Sequence, residues 1–355
     1  MAQLLRWPRL VSQRQPTDRG IAVTGKSALS RFAVDATLTA TCAIASLLPA
    51  VAPAGPLLTR NQNPLALPYG LPMPLPARLP SAGSGRFTVD VNWSNSANLE
   101  SSDDFDFTLD AESLEVRLRL EHAMGSQWAV IVEVPWRNLS GGSLDGFIDN
   151  WHDLFGLPQG ARKNMPDDRL LIDYQRDGEA LLRVDDGGSG IADVPIGVGY
   201  QVAVSDERAL SAWLTVKLPV GDSDDLLGSG AADVALSVAG ETRLAQRWLL
   251  FGQVDAVWLG DGDILPEYQD SFAWAGLAGV SWNAWRTLDL TVQFQANSQI
   301  FDLPVNGLSG DAVVLSYGGS YRTTGGWRFD LGMSEDIEVE ASPDATFYFA
   351  VQRGF

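Results

Sequence analysis

The chain of 355 residues has a single cysteine, Cys42, and only two histidines, His122 and His152. Beyond residue 42 this excludes disulfide frameworks, thiolate metal centres and cysteine nucleophiles, and it leaves little material for imidazole chemistry. Basic residues are also scarce, 25 Lys and Arg against 44 Asp and Glu, for a formal charge of −19. An acidic surface of this size excludes nucleic acid as a partner. Past residue 54 no apolar run is long enough to cross a bilayer as a helix.

The single long apolar run, Phe32 to Ala54, follows six basic residues and ends in the small-x-small site Ala52-Pro53-Ala54. This is the layout of a signal peptide over 1–54 with cleavage after Ala54. Thr41 precedes Cys42 where a lipoprotein site needs Gly, Ala or Ser, so the exported part is expected to be cysteine-free. The basic lead is long for such a segment, which leaves a start downstream of Met1 open. The first 54 residues hold six basic and two acidic residues, so the remainder carries −23.

Residues 55–85 are dense in proline and glycine and show no period. They read as an irregular segment, either a periplasmic tail or a plug threaded into a lumen. From 86 to 355 the pattern is strict alternation. Leu114, Val116, Leu118 and Leu120 interleave with Glu115, Arg117, Arg119 and Glu121, and similar segments of about ten residues follow to the C-terminus. Ten residues is the length a tilted strand needs to span a bilayer. Short turns such as Met124-Gly125 and Ser205-Asp206-Glu207 alternate with longer, mostly acidic connectors at 95–111, 138–189, 220–230, 260–269, 298–310 and 336–345. Short periplasmic turns and long outer loops are the habit of outer-membrane barrels.

Aromatic spacing agrees. Trp248 and Trp258 share the apolar parity of one segment, ten residues apart. At a rise of ~3.3 Å and a tilt of ~40° they stand roughly 25 Å apart along the membrane normal, the height of the lipid-facing band. The chain ends on Phe347, Phe349, Val351 and Phe355, every second position apolar except Arg353. That ending resembles the assembly signal read by the barrel assembly machinery. The sequence therefore predicts an all-β protein, a transmembrane antiparallel up-and-down β-barrel of about twelve strands, with one short helix in a long extracellular loop.

Thr59-Arg60-Asn61-Gln62-Asn63-Pro64-Leu65, the stretch Gly146 to Pro158, the run Gly188 to Val194 and the terminal Phe355 resemble a family of proteobacterial outer-membrane proteins, domain of unknown function 3187. The resemblance covers 57–355. Leu218-Pro219-Val220-Gly221-Asp222, followed by Gly228 to Val234, also resembles barrels of aromatic-compound (phenol meta-pathway) uptake. These resemblances imply an outer-membrane barrel and name no solute.

The charged parity must face inward, because a bare Arg or Lys at the membrane midplane costs ~2–4 kcal/mol. It includes Asp90, Glu115, Arg117, Arg119, Glu121, Glu133, Arg137, Lys217, Asp255, Asp289, Arg328 and Asp330. These residues either line a polar pore or fill the interior as a salt-bridge network. In the longest connector, Leu144, Phe147, Ile148, Trp151 and Phe155 follow helical spacing, with His152 on the same segment. A short amphipathic helix there constricts the mouth, lies on the membrane or caps the barrel. Acidic loop clusters such as Asp103, Asp104 and Asp106 are solvated tips or hold cations against lipopolysaccharide. The expected partners are outer-membrane lipids, lipopolysaccharide and the assembly machinery; no cofactor and no catalytic residue is assigned. The functional expectation is a narrow channel or gated transporter for small molecules, the alternatives being a structural or surface-interaction barrel and a lipid-modifying enzyme.

Overall fold

Alternation of apolar and polar side chains converts directly into a wall with one wet and one greasy face, and the computed structural model shows that wall closed on itself. It describes residues 54–144, 146, 165–166, 168–337 and 341–355, all within one compact unit, Ala50–Phe355. The strands are β1 (Gly85–Ser101), β2 (Phe105–Ala123), β3 (Trp128–Ser140), β4 (Leu171–Arg176), β5 (Glu179–Val184), β6 (Ser189–Ile191), β7 (Val194–Val204), β8 (Arg208–Leu218), β9 (Asp233–Ala245), β10 (Trp248–Trp258), β11 (Phe272–Trp285), β12 (Leu288–Asn297), β13 (Ala312–Arg322), β14 (Trp327–Asp336) and β15 (Ala345–Gly354). One helical turn, α1 (Asn306–Ser309), precedes β13.

Each barrel strand pairs antiparallel with its neighbours in sequence, and β1 closes the ring on β15 with Val89 opposite Val351. Because β6 and β7 are two pieces of one strand against β3, and β4 and β5 stand outside the ring, the barrel has twelve strands, as expected. The seam is tied on both sides: the Gly85 N–H donates to the Phe355 carbonyl at 2.9 Å, and the Phe355 N–H returns the bond at 3.0 Å.

Parity decides orientation. Leu118, Leu120, Leu214, Leu236, Val254, Leu290, Phe294, Leu331 and Phe349 are exposed on the outside of the wall. Thr88, Ser211, Ser237, Thr291, Ser316 and Ser334 are buried inside it. A soluble sandwich would bury the first set. Outward tryptophans gather near both ends: Trp248 stacks on Trp282 with ring centroids 5.7 Å apart, and Trp258 meets Phe272 edge-on at 5.9 Å.

Two connectors differ from expectation. Residues 95–111 are not a loop: β1 and β2 stay paired from Gly85↔His122 out to Ser101↔Asp106, leaving only 102–104 at the tip. Seventeen paired residues at ~3.3 Å each greatly exceed a ~25 Å band even when tilted, so the outer half stands clear of the membrane. There lipid no longer imposes alternation. Within 138–189, β4 and β5 form a hairpin, and β4 pairs with the outer part of β2. Its turn is Asp177-Gly178, with φ of 52° and 80°. Consecutive positive φ angles match the right-handed twist of a tight hairpin, and Gly178 adopts one without steric cost. Phe147, Ile148, Trp151, His152 and Phe155 lie outside the described residues, as do 1–53.

Candidate functional site: the barrel interior

Eleven of the twelve inward-facing candidates are buried, and Arg328 is half-buried. Ten of them fall into three groups. On β1, β2 and β3, Arg117 contacts Glu115, lies 3.9 Å from Asp90 and 3.8 Å from Glu133; Arg119 reaches Glu133 at 2.9 Å and Arg137 reaches Glu115 at 2.9 Å. The Lys217 ammonium on β8 sits 2.6 Å from Asp193 in the β6–β7 link and 3.0 Å from Asp233 on β9. On β12, β13 and β14, Arg322 pairs with Asp289 at 2.9 Å and Arg328 with Asp330 at 2.7 Å. Glu121 lies apart near the short-turn rim, 3.7 Å from Arg86, and Asp255 accepts from Gln253 at 2.9 Å.

The wall does not fill the space it encloses. Many inward side chains are serines, threonines and glycines, and twelve strands enclose more than such short groups occupy. Residues 54–80 take up that space. The Ala54 N–H donates to Asp289 at 3.1 Å, near the short-turn end. The chain climbs past Leu57 and Thr59 along β12, reaches the long-loop end at 62–69 and descends past β8, β9 and β10 to enter β1. Leu57, Thr59, Leu67 and Tyr69 are fully enclosed.

Local chemistry shapes the apex. Asn61 accepts from the Asn63 N–H and Asn63 accepts from the Leu65 N–H, both at 2.9 Å, so two asparagines turn the chain. The Arg60 guanidinium donates to the carbonyls of Leu67, Tyr69 and Leu71 and thereby ties the ascending limb to the descending one. Above it, Leu65, Tyr69 and Leu71 share one apolar cluster with Phe107 of β2, Tyr174 of β4 and Phe301 from the loop before β13. Tyr69 meets Phe301 edge-on at 5.7 Å.

The descending limb alternates proline at 72, 74 and 76. Each proline removes a backbone donor, so this limb is mainly a row of acceptors. The wall answers with donors: Lys217 to the Pro68 carbonyl at 2.8 Å, Arg137 to Leu67 at 3.2 Å, Arg119 to Pro74 at 3.0 Å, and Ser211 and Trp213 to Pro76 at 2.7 and 3.2 Å. Three glutamines meet N–H groups of the two limbs, and Asp233 accepts from the Gly70 N–H at 2.8 Å. Gln293 accepts from Leu57 and donates back to its carbonyl, Gln253 brackets Leu75 and Met73, and Gln201 brackets Leu79 and Ala77. Sequence reasoning tracked charge and passed over these glutamines. Their signal was parity: amides on the inward face of β7, β10 and β12.

Beside the descending limb a cavity of about 40 Å³ remains, lined by Arg117, Glu133, Pro135 and Thr215. That is room for a few waters. The short-turn end instead opens into a vestibule of about 960 Å³. His122 stands at that rim against the terminal ring, centroids 6.4 Å apart. Among the described residues, no three His, Cys, Asp or Glu side chains come together as a metal site.

The architecture is that of an outer-membrane β-barrel. The structure is similar to the crystal structure of the COG4313 outer membrane channel from Pseudomonas putida F1, at 16% identity over 78% of this chain and 97% of that one, TM-score 0.53. More distant likenesses are the NanC porin (9% identity, 75% and 98% covered, TM-score 0.44) and the Ralstonia pickettii toluene transporter TbuX (11% identity, 87% and 100% covered, TM-score 0.42). No curated protein matches the sequence. Residues 34–355 match the family described as protein of unknown function (DUF3187), and the chain belongs to that family.

Proposed function

We propose that this protein is a gated outer-membrane channel for small molecules and that residues 54–80 are its gate. The observation that carries the reading is how the lumen is filled. A barrel built only for support can fill its bore with its own wall side chains, as eight-stranded barrels do. Here much of the wall's inner face is short and polar, and the filler is a covalently continuous segment held by hydrogen bonds along both limbs and by apolar packing of Leu65, Tyr69 and Leu71 at the apex and of Leu75, Ala77 and Leu79 beside Ile131 and Trp213. Each such bond contributes about 1 kcal/mol net, because water replaces it when the segment leaves. Withdrawal would leave a bore lined mainly by serine, threonine, glutamine and paired charges, with Ile131 and Trp213 among them, which water can wet. The barrel therefore has a hydrated alternative state, whereas a packed core does not.

Planar-bilayer recording on the intact chain and on a chain lacking 56–78 tests this. The intact barrel is expected to be closed or briefly flickering, and the deletion to conduct continuously. A deletion variant that still folds, shown by heat-modifiable migration, yet passes no ions would favour a structural barrel instead.

A further inference from the structure

The short-turn vestibule carries a layered charge that the net charge of the chain does not suggest. In four ion pairs the guanidinium faces the water and the carboxylate lies behind it. Side-chain exposures are 43% for Arg86 against 2% for Glu121, 23% for Arg322 against 0% for Asp289, 19% for Arg328 against 0% for Asp330, and 40% for Arg78 against 18% for Glu241. Arg243 adds a fifth cation: it makes no ion pair among the described residues, and its Nε is buried without a hydrogen-bond partner. The exposed Asp206 and Glu207 of the β7–β8 turn also line the vestibule, and the exposed Arg353 adds a sixth guanidinium, so an entering solute meets guanidiniums in excess over exposed carboxylates.

We propose that this vestibule is a binding site for small oxyanions, carboxylate or phosphate, presented from the short-turn side. Guanidinium offers paired N–H groups that match the two oxygens of a carboxylate or phosphate, and an already oriented guanidinium loses little freedom on binding. The low-dielectric wall around the cup focuses the positive potential within it. The inference goes beyond the channel reading and does not need conduction.

A thiol reporter reads that potential directly. Leu277 faces the vestibule and is partly accessible, so Leu277→Cys is made in a Cys42→Ser background of the full chain. Gly354→Cys, also in the vestibule and exposed, serves if the first thiol does not react. Rates with sulfonatoethyl and trimethylammonioethyl methanethiosulfonate are each normalised to the same chain in denaturant. The anionic reagent is expected to be favoured roughly tenfold at 10 mM salt, with the preference collapsing at about 1 M as screening shortens to a few ångströms. Arg243→Glu with Arg86→Glu should lower it, and Leu244→Cys, exposed at the short-turn rim but outside the vestibule lining, should show none. Inorganic phosphate or benzoate should slow the anionic reagent more than chloride at equal ionic strength. A normalised ratio at or below one, or protection no better than chloride, overturns the proposal. Because labelling requires no flux, a failure of gating leaves this result untouched, and the reverse also holds.

Discussion

The side-chain amide of Gln293 holds Leu57 by both of its backbone groups, accepting from the N–H at 2.9 Å and donating to the carbonyl at 3.1 Å. One amide thus does for a single residue what a neighbouring strand does for a whole segment. On the descending limb Gln253 and Gln201 do the same across two residues, accepting from the N–H of Leu75 and Leu79 and donating to the carbonyls of Met73 and Ala77. Replacing all three by Leu removes these partners while keeping similar volume. Each lost pair leaves backbone groups unsatisfied at about 1–3 kcal/mol. The triple variant should raise the open fraction by at least tenfold in single-channel records and expose 54–80 to protease from the short-turn side.

Lys217 ties the apex to the wall through the Pro68 carbonyl and sits between two buried carboxylates. Lys217→Met leaves Asp193 and Asp233 facing each other without a cation. A broken buried pair costs about 3–5 kcal/mol. The heat-modifiability transition should fall clearly, and Asp233→Asn added to Lys217→Met should recover part of the loss.

Gly178 has φ +80° beside Asp177 at +52°. Gly178→Val puts a β-branched residue into a conformation that costs it at least about 1–2 kcal/mol. Limited proteolysis should cut between β4 and β5 in the variant, while the barrel keeps its folded electrophoretic mobility.

At the seam, a Cβ on Gly85 would fall 2.5 Å from the Phe355 ring and 2.7 Å from the Glu121 carbonyl. Gly85→Val should therefore reduce the yield of folded barrel in outer-membrane fractions.

The barrel itself was readable from the chain because lipid and water enforce a period of two on every strand they border. That is why Leu114 to Glu121 declared its face while Ser94 to Ser101, paired but outside the membrane, did not. The β4–β5 hairpin was also legible in principle: Asp177-Gly178 between Leu171–Arg176 and Glu179–Val184 is a strong hairpin signal. The inner charges followed from parity alone, but their grouping did not, since an ion pair across β8 and β9 leaves no mark at any fixed spacing.

What sequence by itself determined is the membrane-facing half of the design: strand number, inward and outward faces, aromatic ends and the terminal phenylalanine. Those are local properties, each set by the solvent a side chain meets. Only the tertiary structure decided where residues 54–80 go. A proline-rich segment with no period has no preferred partner of its own. It becomes ordered only where Gln201, Gln253, Gln293, Arg119 and Lys217, distant in sequence, converge as donors and acceptors inside a closed ring. The layered vestibule has the same origin: which member of an ion pair faces water is settled by depth in the barrel, and depth exists only after closure.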